Sequence, residues 1–283
     1  MKNIYVIGIG LIGGSLALNI KKLYHEAVIF GVDNNTEHLE EALSLNIIDR
    51  KAEIKDVKKA DLVILSIPVD TSVIEITKIL DLVPDETLVL DVGSTKVDIC
   101  QTVSNHPKRR NFLATHPISG TEFSGPQAAF LELFQNKTNI ICEVEKTAFK
   151  LQQKAIDLFV NIGMRIRYMN PEAHDKHIAY MSHLSHISSF MLGKTVIDKE
   201  KNERDIFDMA GSGFESTVRL AKSSPEMWAP IFKQNKDNVI ETLEDYIKNL
   251  TQFKIMMEND DFDAVFKEMK NTNHIKQILK GIE

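Results

Sequence analysis

The chain has 283 residues, is 43% apolar and 26% charged, and carries a net charge of −6. That length supports a large core and most simply two domains. The charge balance excludes a basic footprint for nucleic acid, and no apolar run approaches the ~18 residues of a membrane span, so neither nucleic acid nor membrane is expected as a partner. The opening "MKNIYVIGIG" is too short and too glycine-broken for a secretory leader, and Cys100 and Cys142, with no Cys-x-x-Cys, read as free thiols of a cytoplasmic protein.

In chain order, "NIYVIGIG" reads as a buried strand and "LIGGSLALNIKKL" as a helix. "AVIFGVD" is a second strand, and "TEHLEEALSLN" is a helix with Thr36 as its N-cap. "DLVILSIP" is a third strand ended by Pro68, followed by helix "TSVIEITKILDLV" and strand "TLVLDVGS". A short helix covers Lys96 to Ser104, and "NFLATHP" is the fifth strand. "TNIICEV" and "MRIRYM" extend the sheet around helix "AFKLQQKAIDLFVNIG". Alternating strands and helices, with near-continuous Val/Ile/Leu strands, predict a parallel sheet covered on both faces. From Pro171 onward the pattern is helical, and "SPEMWAPIFKQNKDNVIETLEDYIKNLTQFKIMME" reads as one long helix. The expected architecture is an α/β Rossmann-like, doubly wound domain over residues 1–170 and an all-α domain over residues 171–283. Val239, Leu243, Tyr246, Leu250, Phe253 and Met257 form a heptad-like seam, either a dimer surface or a packing stripe within the chain.

Gly8-x-Gly10-x-x-Gly13 joins the first strand to the first helix, and Asp33 ends the second strand 20 positions after Gly13. In that context the glycines serve a dinucleotide: Gly8 for the turn, Gly10 for approach of the pyrophosphate, Gly13 for helix–strand packing. The helix start at Leu11 and Ile12 faces the phosphates. Asp33 accepts from the ribose hydroxyls and repels a 2′-phosphate, which favours NAD over NADP. Ser66 and Pro68, after the third strand, complete the expected cofactor loops, because ligands sit beyond the carboxyl ends of the strands.

Ser94 and His116 fall on the two strand-end loops that follow, beside the expected nicotinamide position. An imidazole there is suited to taking a proton near neutrality. Four histidines lie between His174 and His186, but no H-E-x-x-H is present and no metal site is assigned. His174 and His177 are expected to cap the helix or lie on its surface. Arg219, in the apolar turn "STVRLA", is either a surface salt-bridge residue or a carboxylate clamp, since a guanidinium fits a carboxylate bidentately. Trp228, the single Trp, is a core residue by default.

"GIGLIGGSLA", "DVGSTK", "HPISGTEFSG", "HDKHIAYMSHLSH", "GSGFESTVRLA" and "SPEMW" occur in this order. With them the chain resembles the prephenate/arogenate dehydrogenase family of tyrosine biosynthesis, over nearly its whole length. The resemblance implies an N-terminal Rossmann domain, a helical C-terminal domain that forms a homodimer, and NAD-dependent oxidative decarboxylation of prephenate, with arogenate the alternative substrate and a non-catalytic NAD sensor the rival class. It places the catalytic histidine at His116 and its nicotinamide-side serine at Ser94. It puts substrate contacts at Arg219, His186, Trp228, Thr121 and Glu122. Ser185 stands where the family usually has Pro, and Ser216 where an Asp tied to tyrosine inhibition is common. No regulatory domain is expected after the helices and no mutase segment before Met1. A β-hydroxyacid dehydrogenase is disfavoured, because "GSGFESTVRLA" lacks the Lys-x-x-x-Asn spacing that such enzymes share.

Overall fold

Strand β1 (Asn3–Ile7) alternates its side chains between two cores: Ile4 and Val6 face one, Tyr5 and Ile7 the other, all nearly fully buried. The computed structural model describes residues 1–280 except 202 and 204. Helix α1 (Leu11–Leu23), β2 (Val28–Val32), α2 (Thr36–Ser44), β3 (Arg50–Lys51), β4 (Leu62–Leu65), α3 (Val69–Leu82), β5 (Leu88–Asp91), α4 (Val97–Val103) and β6 (Phe112–Pro117) follow. Then come β7 (Thr138–Cys142), α5 (Phe149–Asn161) and β8 (Arg165–Met169). The sheet order is β3-β2-β1-β4-β5-β6-β7-β8, parallel throughout except where β7 pairs antiparallel with β6. It is the doubly wound sheet expected from the sequence. Leu16 and Ile20 of α1, Leu39 of α2 and Leu158 and Phe159 of α5 cover one face. Ile76, Ile79 and Leu80 of α3 and Ile99 and Val103 of α4 cover the other.

The helical half comprises α6 (Pro171–Ile178), a π-helical turn (Ala179–His183), α7 (Leu184–Glu200), α8 (Ser212–Val218), α9 (Pro225–Gln234), α10 (Lys236–Glu258), α11 (Phe262–Thr272) and α12 (Ile275–Lys280). The chain divides into two compact units, Met1–Lys236 and Asp237–Glu283. Helices α6 to α9 therefore group with the sheet. Within that first unit Val69 of α3 packs against Trp228 and Ile231 of α9. In the second unit the seam on α10 runs out into solvent: Leu250, Phe253 and Met257 are exposed, as are Phe262, Phe266 and Met269 of α11.

Two local expectations are corrected, and one element is new. The cap of α2 is Asn35, whose side chain accepts from Glu37 N, and Thr36 is the first helical residue. The long helix from Pro225 breaks at Asn235, which leaves helical geometry at φ −102° and ψ 27°. The two-residue strand β3 had no periodic signal to announce it.

Candidate active site

The cofactor loop is built as the glycine spacing requires. Gly8 has φ +91°, and a Cβ there would meet the Ser66 carbonyl oxygen at 2.2 Å. A Cβ on Gly13 would lie 2.1 Å from the Gly8 carbonyl oxygen. Around the Cβ position of Gly10 there is nothing within 4 Å, so open space lies where a diphosphate would approach. Gly10 is the N-cap of α1, with no side-chain cap and no acidic residue in the first turn, which leaves the helix N-terminus to an anion. Leu11 is buried and Ile12 half-buried at that turn. Asp33 accepts from Ile9 N and Asn35 N, each at 2.9 Å, and so is held at the β2 end facing the loop. Ser66 is half-buried beneath the glycines, and Pro68 is the exposed N-cap of α3. These residues fit NAD.

At the end of β6 lies the feature that sequence reasoning missed. His116 Nδ1 lies 2.8 Å from His174 Nε2, and His174 Nδ1 lies 2.7 Å from Asp175 Oδ1. His174 is 1% exposed and is neither a cap nor a surface residue; the exposed neighbour is His177. Asp175 also accepts from the backbone N–H groups of Lys96 (2.8 Å) and Val97 (2.9 Å), and thereby caps α4 from α6. The tautomers follow from the donor inventory. A carboxylate only accepts, so His174 Nδ1 donates to Asp175. His174 Nε2 is then an acceptor and His116 Nδ1 its donor. His116 Nε2 is left with a lone pair. The one signal in the sequence was the His-Asp dipeptide, and nothing in local periodicity connects it to a residue 58 positions earlier.

The ring is thus oriented through His174, while Ser94 lies half-buried in the β5–α4 loop. Burial, then His174, Lys96 and His183, hold His116 well below the ordinary imidazole range. It is a neutral base in the physiological range.

The π-turn carries the helix past a second cluster. His183 is buried, lies 3.2 Å from the Asn235 amide, and is pushed down to about 4, chiefly by burial. The same Asn235 amide donates to the Asp175 carbonyl at 2.7 Å, which explains the break between α9 and α10. His186 stacks on Trp228 with ring centroids 3.6 Å apart. Trp228 is 7% exposed, and its indole N–H has no acceptor among the described residues. Arg219 Nη1 donates to Glu122 Oε2 at 2.7 Å. Glu122 is held below its ordinary value by its own backbone N–H and by Arg219. Thr121 sits beside it in the half-exposed loop after β6, where its hydroxyl accepts from Phe123 N at 3.3 Å. Among the described residues no group of His, Cys, Asp and Glu could hold a metal ion, and no helix is long and apolar enough to cross a membrane.

Residues 16–168 match the family model described as "Prephenate dehydrogenase, nucleotide-binding domain", and residues 170–271 match "Prephenate dehydrogenase, dimerization domain". The chain is 33% identical to a prephenate dehydrogenase of Bacillus subtilis, over 98% of this chain and 76% of that one. It is 30% identical to a cyclohexadienyl dehydrogenase of Zymomonas mobilis, over 99% and 96%. Among solved structures it is similar to the prephenate dehydrogenase of A. aeolicus in complex with hydroxyphenyl propionate and NAD+. That similarity has a TM-score of 0.88 and 30% identity, over 99% of this chain and 98% of that one.

Proposed function

The chain belongs to the prephenate dehydrogenase family, and from that premise we propose that it oxidises prephenate with NAD to 4-hydroxyphenylpyruvate and carbon dioxide. The observation that carries this reading is the His116–His174–Asp175 chain, which leaves His116 Nε2 free to accept the carbinol proton. NAD, when bound, supplies the hydride acceptor. His116 takes the hydroxyl proton, and the carboxylate of Asp175 stabilises the positive charge that the two imidazoles then share. The ring carboxylate leaves as carbon dioxide, and its bonding electrons complete the aromatic ring. The proton on His116 returns to the ring oxygen, so the step balances. Ser94 helps orient the ring and the nicotinamide.

Arg219 anchors the ring carboxylate, for which Glu122 stands in within the free protein. His186 and Trp228 hold the side-chain end, the indole N–H supplying a buried donor to a substrate oxygen, and Thr121 lines the same loop. The exposed apolar side chains of α10 and α11, within the match to a dimerization domain, support a homodimer through the C-terminal helices. Cys100 and Cys142 are free and buried, which supports a cytoplasmic location.

The test is the appearance of NADH absorbance with prephenate and, in parallel, arogenate. Turnover of prephenate is expected. Turnover of arogenate alone would reassign the substrate, and turnover of neither would leave an NAD-binding protein without this activity. Asp33→Asn is expected to reduce the preference for NAD over NADP by about tenfold, as the ratio of the two kcat/KM values. The change removes the charge that repels a 2′-phosphate and keeps one acceptor oxygen for Ile9 N at the cost of the bond from Asn35 N.

A further inference from the structure

Lys96 is completely buried, a costly place for an ammonium group unless it is paired. Its Nζ forms an ion pair with Asp91 at the end of β5 and donates to the Thr115 carbonyl at 2.8 Å. Its backbone N–H donates to Asp175. One residue therefore touches both ends of the catalytic chain: the peptide that precedes His116 and the carboxylate behind His174. Two apolar side chains of similar volume would serve stability as well as the pair does. Stability alone therefore does not account for a charge at this point.

We propose that Lys96 is a positioning residue of the reaction, which anchors the peptide leading into His116 and, as the cation enclosed beside that ring, favours its neutral form. The proposal rests on His116 being the base. A cation beside an imidazole disfavours the imidazolium, and an anion favours it. From β5 and α4 the cluster is faced by Asp91, Lys96, Asp98 and Cys100, and from β7 by Cys142. From α6 and the π-turn it is faced by Asp175 and His183, with Arg219 and His186 beyond them. The cation enclosed with the two imidazoles is Lys96. Burial lowers His174 first, the Asp175 hydrogen bond opposes this, Lys96 adds to the lowering, and the charges of Asp175 and Asp91 oppose it again, so the effect of the cation is read at His116, which Lys96 lowers and Asp91 does not raise.

Removing only one partner would strand a buried charge, so the variant is Asp91→Asn with Lys96→Met. A second variant, Asp91→Asn with Lys96→Gln, keeps a donor for the Thr115 carbonyl without the charge. Each is followed by the pH dependence of kcat/KM for prephenate and, without substrate, by NMR titration of the His116 ring, assigned by its loss in His116→Asn. In both variants the acid limb and the His116 titration are expected to move upward together by about one pH unit, a tenfold loss of kcat/KM on the acid side. The Gln variant is expected to recover kcat above neutrality relative to the Met variant. A folded, NAD-binding variant of either kind with both titrations unmoved overturns the proposal. So does a His116 ring in the unmodified protein that titrates at the ordinary value of about 6.5. Failure of the unmodified enzyme to oxidise prephenate would instead remove the proposed function and leave the ring titrations interpretable.

Discussion

His116→Asn is expected to lower kcat by about three orders of magnitude and kcat/KM by the same factor, with prephenate binding little changed. Asparagine is the informative replacement. Its amide N–H can still donate to His174 Nε2, so the partner 2.8 Å away is not left unsatisfied. What is lost is the basic nitrogen on the far side of the ring. His116 is 9% exposed at the end of β6, and its neighbour Thr115 bonds through its hydroxyl to the Asp91 carbonyl. The backbone is therefore fixed independently of the ring. Stopped-flow measurement of NADH formation separates the chemical step from binding. A variant with unaltered kcat would remove His116 from the proton transfer.

Arg219→Ala is expected to act on the other parameter. A charge-assisted hydrogen bond to a carboxylate contributes about 2 kcal/mol, which is about thirtyfold in KM. In the free protein Arg219 is half-exposed and engaged by Glu122. Alanine at 219 therefore also leaves Glu122 as an unpaired negative charge facing an incoming dianion. The double variant Arg219→Ala/Glu122→Ala is expected to recover part of the lost affinity, so the two substitutions should not add. Strict additivity, or an unchanged KM in the single variant, would count against the clamp.

Much of this was legible in the chain. The sheet was readable because strands buried on both faces are continuous apolar runs, and because the glycine spacing sits between a strand and a helix. His116, Arg219 and Asp33 stood out in the sequence as candidates because each lies in an unusual local setting, and their roles are what the substitutions above and the cofactor-preference measurement test. What escaped was non-local. His174 and Asp175 look like helix-surface residues in isolation, and only the fold brings β6 beneath α6. Asn235 continues a helical pattern in the sequence, yet its amide reaches back to Asp175 and His183, and those bonds outweigh helix propensity. Lys96 carries no sequence signal of burial, since a lysine in a loop is ordinarily solvated.

The π-turn at Ala179–His183 bears on what the loss of a single residue there would do to this chain. A π-turn holds one residue more than a regular turn would, and each residue rotates an α-helix by about 100°. A chain shortened by one residue there would relax into an unbroken helix. His174 would keep its place, whereas everything beyond would swing by more than a quarter revolution, carrying His186 off the indole on which it now rests. The irregular turn is thus a phase adjuster between two halves of one helix, and the length of this segment is constrained even where its side chains are free to vary.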